Sequence, residues 1–326
     1  MGVGAGFWSA LFRLITESGE ILLLLVLVLV LVLETQMTSV VDMQRSTRSA
    51  SAPVVKRRLV VNADDFGLSH SVNEAVIRAH REGILTTASL MVNEPGFAEA
   101  VELARSNSTL GVGLHITLLF GHSALPHEQI PGLVNDQGEF PRDPAGAGWR
   151  YFFDKSLRSQ LREEIHAQFA RFRATNLPLD HVNGHLHFHM HPVVFRILME
   201  DAEQLGIERL RLTFDPFWLN ARLARGYWGY RVLHAGIYHV LSRRARPALK
   251  ARRIRHTETV FGLLQNARVD EQYVSRLLPR LPAGDSELYS HPSLDEFKHE
   301  FDALVSPRVR QQVEALGIEL VRYQHL

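Results

Sequence analysis

Residues 59–68 read LVVNADDFGL, and the rest of the chain can be laid out from them. Leu59, Val60 and Val61 form a short apolar run of the kind that makes a buried strand. Two carboxylates, Asp64 and Asp65, follow directly, then Phe66 and Gly67. The polar Ser69-His70-Ser71 segment suits the cap of a helix that carries Val72, Ala75, Val76 and Ala79 on one face. A strand that ends on acids and passes into a helix is where an α/β protein carries its reactive groups. An acidic pair taken alone is more commonly a solvated turn or a helix cap, so its weight depends on what the chain brings to meet it.

Working outward, the same alternation recurs. Arg58–Val61 reads as a strand and Val72–Arg81 as a helix ending near Gly83. Thr86–Val92 is a second strand, Gly96–Arg105 a second helix, and Leu110–Leu118 a third strand carrying His115. Residues 121–149 are rich in Gly, Pro and Asp without a period and read as a long loop over the strand ends. Leu157–Thr175 places Leu161, Ile165, Phe169 and Phe172 at helical spacing, and a further helix starts on Pro192 and runs to Leu205-Gly206. Ile207–Leu212, Val260–Leu264, Ser286–Ser290 and Glu319–Tyr323 read as later strands, with helices over Asp270–Leu278 and Arg308–Leu316. The expectation is an α/β, TIM-like (β/α) barrel of seven or eight strands. Between them, Phe214–Tyr238 is aromatic-rich and reads as a helical insertion lining a groove.

The first 56 residues differ in kind. Ile21–Leu33 is an unbroken apolar run between Glu20 and Glu34, shorter than the roughly 20 residues that span a bilayer. Extending it back to Phe7 takes in Arg13, Glu17 and Glu20, which are costly in lipid. A membrane anchor, a signal-like segment and an extension from an upstream start are all consistent with it, and residues 46–53 (STRSASAP) read as a flexible linker. The expected organisation is a hydrophobic extension and linker over 1–56 and one domain over 57–326. Elsewhere, 36 basic residues against 35 acidic ones give no global excess that would favour nucleic acid. The local run RRARPALKARRIR (243–255) reads as a solvated helix face. The absence of cysteine excludes disulfides, thiolate zinc sites and cysteine nucleophiles.

Seventeen histidines remain to be explained. Five of them, His181, His185, His187, His189 and His191, lie two or four apart in LDHVNGHLHFHMH (179–191). On a strand this spacing turns several imidazoles to one face. Imidazole and carboxylate together suit zinc, iron, manganese and similar ions. Asp64 or Asp65, His115 and one histidine of the cluster can make a three-ligand site with a position open for water, leaving the other aspartate as a general base. His291, at the end of a late strand, is placed to protonate a leaving group.

NADDFGLSHSVNEAV (62–76), GVGLHITL (111–118), HVNGHLHFHMHP (181–192) and LYSHPS (288–293), in this order, resemble the YdjC-like carbohydrate deacetylases, the group that includes chitooligosaccharide deacetylase. NEAVIRAHREGILTTASLMV and LPRLP look most like the hopanoid-biosynthesis-associated branch called HpnK. The resemblance runs from Arg57 to His325. It implies a barrel-like, divalent-metal deacetylase, with magnesium or zinc held by Asp65, His115 and His185, Asp64 as base and His291 as acid. Asn183 and Arg211 are expected at the substrate. Many members read Asp-Ser-His-His-His where this chain has Asn183-Gly184-His185-Leu186-His187, so the substrate of the chitooligosaccharide members cannot be copied across.

The function expected is removal of an N-acetyl group from an amino sugar or glycolipid, with an N-acetylglucosaminyl-hopanoid as the substrate the branch points to. A cytoplasmic position, inner-membrane association through residues 7–33, a homodimer and no nucleic-acid partner complete the expectation. The rivals are a metal-dependent phosphoesterase, for which Arg209 and Arg211 are the anion-binding candidates, and a non-enzymatic glycolipid-binding protein with structural histidines.

Overall fold

The computed structural model describes residues 56–265 and 267–326, so all but the last residue of the expected extension over 1–56, and the membrane association through residues 7–33, lie outside the described residues. Seven parallel strands form one sheet: β1 (Arg57–Phe66), β2 (Thr87–Leu90), β3 (Gly111–Ile116), β4 (Val182–Gly184), β5 (Thr259–Phe261), β6 (Gly284–Ser290) and β7 (Glu319–Leu320). The order is β4-β3-β2-β1-β6-β5, with β7 paired to β1 through Arg58–Glu319 and Leu59–Leu320. The sheet curls. Residues 208–214 bridge its two edges: Val182 donates to the Arg209 carbonyl and Leu210 to that of Arg255, while Val260 donates to that of Phe214. The expected strand over Ile207–Leu212 is therefore a pair of isolated bridges that span the gap of a TIM-like barrel.

β1 lies at the centre because both its faces are buried. Leu59, Val61 and Ala63 point into the main core beneath α1 (His70–Glu82), together with Val72, Ala75 and Val76. Val60 points the other way, onto Val321 and Tyr323, and Asn62 and Asp64 continue that inward row. Residues of alternate parity on one strand thus serve the helix layer and the barrel interior. Ser69 caps α1 by accepting from the Val72 amide, and His80 and Arg81 occupy its last turn, where positive charge opposes the helix dipole.

Three expectations are corrected. The loop over 121–149 gives way at Pro144 to α3 (Pro144–Phe153), which follows α2 (Phe97–Arg105); Asp143 caps it and Pro144 sets its first turn. After α4 (Leu157–Ala174), the helix begun at Pro192 breaks at Asp201 into α5 (Pro192–Glu200) and α6 (Ala202–Leu205). Residues 179–191 are not one strand: only Val182–Gly184 pair, and His185–Met190 form 3-10 turns interrupted by left-handed backbone at Leu186 and His187. The aromatic stretch does form helices, α7 (Phe217–Leu223) and the long α8 (Trp228–Ala251). The chain closes with α9 (Glu271–Leu277), α10 (Lys298–Val305) and α11 (Pro307–Ala315). Among the described residues, no helix is long and apolar enough to cross a membrane.

Candidate active site

At the carboxyl end of β1 the strand loses its alternation. The pairing register with β2 shifts between Ala63 and Phe66, and Asp65 takes a left-handed backbone, φ 63°. Asp tolerates this conformation better than most residues. Without the irregularity, two neighbouring side chains would leave on opposite faces; with it, Asp64 and Asp65 both line one pocket. Gly67 completes the corner at φ 94°, where a Cβ would meet the Met91 carbonyl at 2.8 Å.

Asp65 is the hub. Its Oδ1 lies 2.9 Å from His185 Nδ1 and 3.2 Å from His115 Nε2, and one ligand atom from each residue falls within 4.8 Å of the others. These three were assigned together by the resemblance, and the fold brings them together from β1, β3 and the turn after β4. The tautomer of His115 follows from its other nitrogen. Asn183 spends its amide N–H groups on Asp64 Oδ1 (3.1 Å) and Ser89 Oγ (2.8 Å), leaving its oxygen to accept from His115 Nδ1 at 2.7 Å. A neutral His115 then turns the Nε2 lone pair towards the Asp65 carboxylate. In that tautomer two acceptors face each other, an arrangement suited to sharing a cation.

The buried charges agree. If His115 and His185 serve as neutral ligands to an ion, the carboxylates of Asp64, Asp65, Glu287 and Glu300 face one guanidinium, Arg211, and one imidazolium, His291. Two negative charges are left over, which a divalent ion would balance. Burial by itself would raise the Asp65 pKa. Where His185 is protonated, which burial of the ring opposes but its pairing with Asp65 favours by raising its pKa, its charge and hydrogen bonds from both histidines outweigh the burial of Asp65 and hold that carboxyl well below its usual range.

Asp64 faces inward. Arg211 Nη1 and Nη2 grip its two oxygens at 2.7 and 2.9 Å, and Asn62 adds a bond of 2.8 Å. Burial would push its carboxyl up, but the Arg211 charge, helped by His115, holds it below the ordinary carboxylate range. Arg211 also bonds Glu287 at 2.6 and 3.0 Å, and the Tyr323 hydroxyl donates to the far Glu287 oxygen. The expectation that Arg211 and Asn183 touch substrate is therefore corrected: both are 0% exposed and act as braces behind Asp64 and His115. Arg209 is spent on Glu208 and on the Leu179 and Asp180 carbonyls, so the phosphoesterase reading loses both of its candidate anion binders.

His291 lines the pocket on the β6 side. Its backbone N–H donates to the buried Glu300 carboxylate at 2.5 Å, and its Nδ1 lies 3.8 Å from the same oxygen. Burial opposes the charged ring, but Glu300, followed by Asp65 and Asp64, raises its pKa to about 9. It is thus an imidazolium at neutral pH. A reaction that needs this proton should hold its rate through neutral pH and lose it as pH rises through about 9. The stability contributed by the ring is full below the unfolded pKa of about 6.5 and fades over the same rise. Glu300→Gln should move the alkaline limb of the pH–rate profile towards neutral by about one unit, each unit being about 1.4 kcal/mol; an unmoved limb would show that Glu300 does not set it.

The remaining histidines of the cluster divide by role. His189 donates to the Arg211 carbonyl (3.0 Å) and His191 to that of Gly148 (3.1 Å), tying the turn to the bridging segment and to α3. His181 lies below the site, bonded to Ser89 and Asp180. Glu287, Glu300, Ser89 and Asn62 were not singled out from the sequence. For Glu287, Ser89 and Asn62 the signal is a polar residue at every second position of an otherwise apolar strand, as in Asn62-x-Asp64, Thr87-x-Ser89 and Glu287-x-Tyr289, whereas Glu300 lies on α10 and carries no such mark. The cavity above this floor measures about 750 Å³, and its lining mixes apolar side chains, Phe120, Leu186, Phe188, Ile237 and Leu241 among them, with polar ones such as Tyr230, His234, Tyr238 and Glu296.

Comparison with known proteins places this geometry. The carbohydrate deacetylases of Brevibacillus brevis and Geobacillus stearothermophilus are each 40% identical over 150 and 161 residues, 46% and 49% of the chain. The alignments cover 57% and 60% of those two proteins, so the chain spans less than two thirds of their length. The chitooligosaccharide deacetylase of Serratia marcescens is 30% identical over 282 residues, 83% of the chain and 100% of the relative. A crystal structure of an Enterococcus faecalis protein, proposed for cellobiose-phosphate cleavage, shares the fold with a TM-score of 0.63 at 23% identity, covering 83% of this chain and 98% of its own. The family model described as YdjC-like protein matches residues 58–315, from the first residues of β1 to the end of α11, and encloses the aspartate pair, the histidine cluster and His291; the chain belongs to the YdjC-like family.

Proposed function

We propose that residues 57–326 form a metal-dependent carbohydrate N-deacetylase whose substrate is an acetylated amino sugar carried on an apolar group. The observation that carries this reading is the Asp65 oxygen flanked by His115 and His185 on the floor of a pocket whose side wall presents His291. The named relatives act on acetylated carbohydrates by their descriptions. A divalent ion, magnesium or zinc, held by Asp65, His115 and His185 would supply a more acidic water and polarise the acetyl carbonyl.

This chain's own residues then do the rest. Asp64, kept ionised by Arg211, accepts a proton from the attacking water as the new C–O bond forms. The same pairing makes it a weak base, so it depends on the water being acidified. His291 gives its proton to the amide nitrogen as the C–N bond breaks, releasing acetate and a free amine. The apolar side chains of the lining, Phe120, Leu186, Phe188, Ile237 and Leu241, would leave unpaired the hydroxyls of a second sugar laid against them, at a cost in affinity. That favours a lipid aglycone over a longer oligosaccharide, in keeping with the hopanoid-associated branch and its N-acetylglucosaminyl-hopanoid. An amphiphile of this kind fits an enzyme working at the cytoplasmic side of the inner membrane.

Acetate release should be measured on the metal-loaded full chain with an N-acetylglucosaminyl lipid and with chitobiose side by side. The lipid should be preferred in kcat/KM by about tenfold or more, since burying even two CH₂ groups gives roughly 1.6 kcal/mol. Equal or better use of chitobiose would remove the apolar-aglycone assignment.

A further inference from the structure

His187 and His191 are the members of the cluster that line the pocket without being ligands of the proposed ion, and His191 is spent on the Gly148 carbonyl. The backbone that carries His187 is unusual. Leu186 (φ 50°, ψ 26°) and His187 (φ 60°, ψ 22°) are consecutive left-handed residues, neither of them glycine. Each costs about 1–2 kcal/mol for an L-residue, and such costs are kept where a side chain must be aimed. The turn lifts Leu186 to the surface and leaves His187 partly buried. There the ring sits edge-on between Tyr289 and Tyr238, with centroids 5.2 and 5.6 Å away and planes 78° and 84° apart.

That packing fixes the ring and leaves its polarity unspent. His187 Nδ1 is buried and has no hydrogen-bond partner. A buried N–H without an acceptor is costlier than a buried lone pair without a donor. The proton therefore belongs on Nε2, the ring's remaining polar atom, as a donor available to whatever fills the pocket. The neighbours on the same floor are the proposed base and acid, Asp64 and His291.

We propose that His187 is a further catalytic residue in the deacetylation itself. Its Nε2–H donates to the acetyl carbonyl oxygen and strengthens that bond as the oxygen gains charge on the way to the tetrahedral state. This rests on the deacetylase reading above and adds to it a fixed donor supplied by the protein. No bond to His187 forms or breaks; the ring stays neutral throughout. A donor aimed at the developing charge is worth far more in the transition state than in the bound substrate.

The test uses metal-loaded full-length protein and two variants. His187→Phe keeps a ring between the two tyrosines and removes the donor, whereas His187→Gln retains an N–H. Wild type, His187→Phe and His187→Gln are compared for acetate release, metal content and melting temperature. His187→Phe should lower kcat by about 10²–10³-fold with KM within a few-fold of wild type and with metal content unchanged, and His187→Gln should recover part of the loss. A loss confined to KM would place the donor on a sugar hydroxyl and overturn the assignment. Unchanged kcat would reduce His187 to packing. No acetate release by wild type on any acetylated amino sugar would sink the deacetylase reading itself, and this role with it.

Discussion

Asp65→Asn should abolish metal loading and cut acetate release by more than about 1,000-fold while leaving the fold intact. The substitution is chosen for its backbone. Asp65 sits at φ 63°, a conformation Asn adopts readily and Ala does not, so Asp65→Ala would confound strain with the loss of charge. Asn keeps the size and removes only the anion. Its amide cannot replace a carboxylate between two imidazoles that lie 2.9 and 3.2 Å from Oδ1, and it removes half of the two-charge excess in the buried set. Polarisation of a carbonyl by a bound ion is worth several kcal/mol, and each 1.36 kcal/mol is a factor of ten in rate. Elemental analysis of the purified variant, a melting curve and an acetate assay separate the outcomes. Full metal content with full turnover would remove the proposed centre. A collapsed melting temperature would show that the carboxylate is needed for folding before it is needed for chemistry.

The second large effect is on stability. Arg211 is fully buried and holds Asp64 and Glu287 at once, with its guanidinium 5.0 Å over the Tyr289 ring. Arg211→Met keeps much of the volume and strands two carboxylates in the barrel. Breaking a buried ion pair from one side costs about 3–5 kcal/mol, enough to consume much of the stability of an ordinary domain. The pH dependence gives a second, independent readout. In the native protein the Asp64 pKa is depressed, so its contribution is present above the unfolded value of about 3.9 and is lost as pH falls below it. Without Arg211, burial is left to act on Asp64 and raises its pKa instead. Protonation then relieves the variant, and the gap between variant and wild type should narrow between pH 7 and pH 5. Urea midpoints at the two pH values would show it, and a gap that stays constant would mean that Asp64 does not carry the penalty.

Both experiments act on groups of very different legibility. LVVNADDFGL, GVGLHITL and the histidine-rich stretch offer Asp64 or Asp65, His115 and one histidine of the cluster, because strand ends advertise themselves as polar residues after apolar runs, whereas the choice of Asp65 and His185 came from the family resemblance. Arg211 and Asn183 could be named as important residues but were expected at the substrate. Arg211 sits in RLRL, and nothing in that pattern says that the segment will pass between β4 and β5 with its second arginine turned inward against β1 and β6. The same holds for Glu300, on a helix whose partner, His291, is reached only because α10 packs back over the end of β6.

The alternation of strands and helices, the barrel class, the apolar face of each helix and the carboxylates at the end of β1 were all determined by the order of residues. Periodicity of two or 3.6 is a local property that survives in one dimension. The tautomer of His115, the inward grip of Arg211 on Asp64 and the left-handed turn that presents His187 were decided only when the sheet curled. Each depends on which atoms of distant segments face one another across the barrel interior, and that is fixed by the closure and register of the whole sheet, which no single segment encodes.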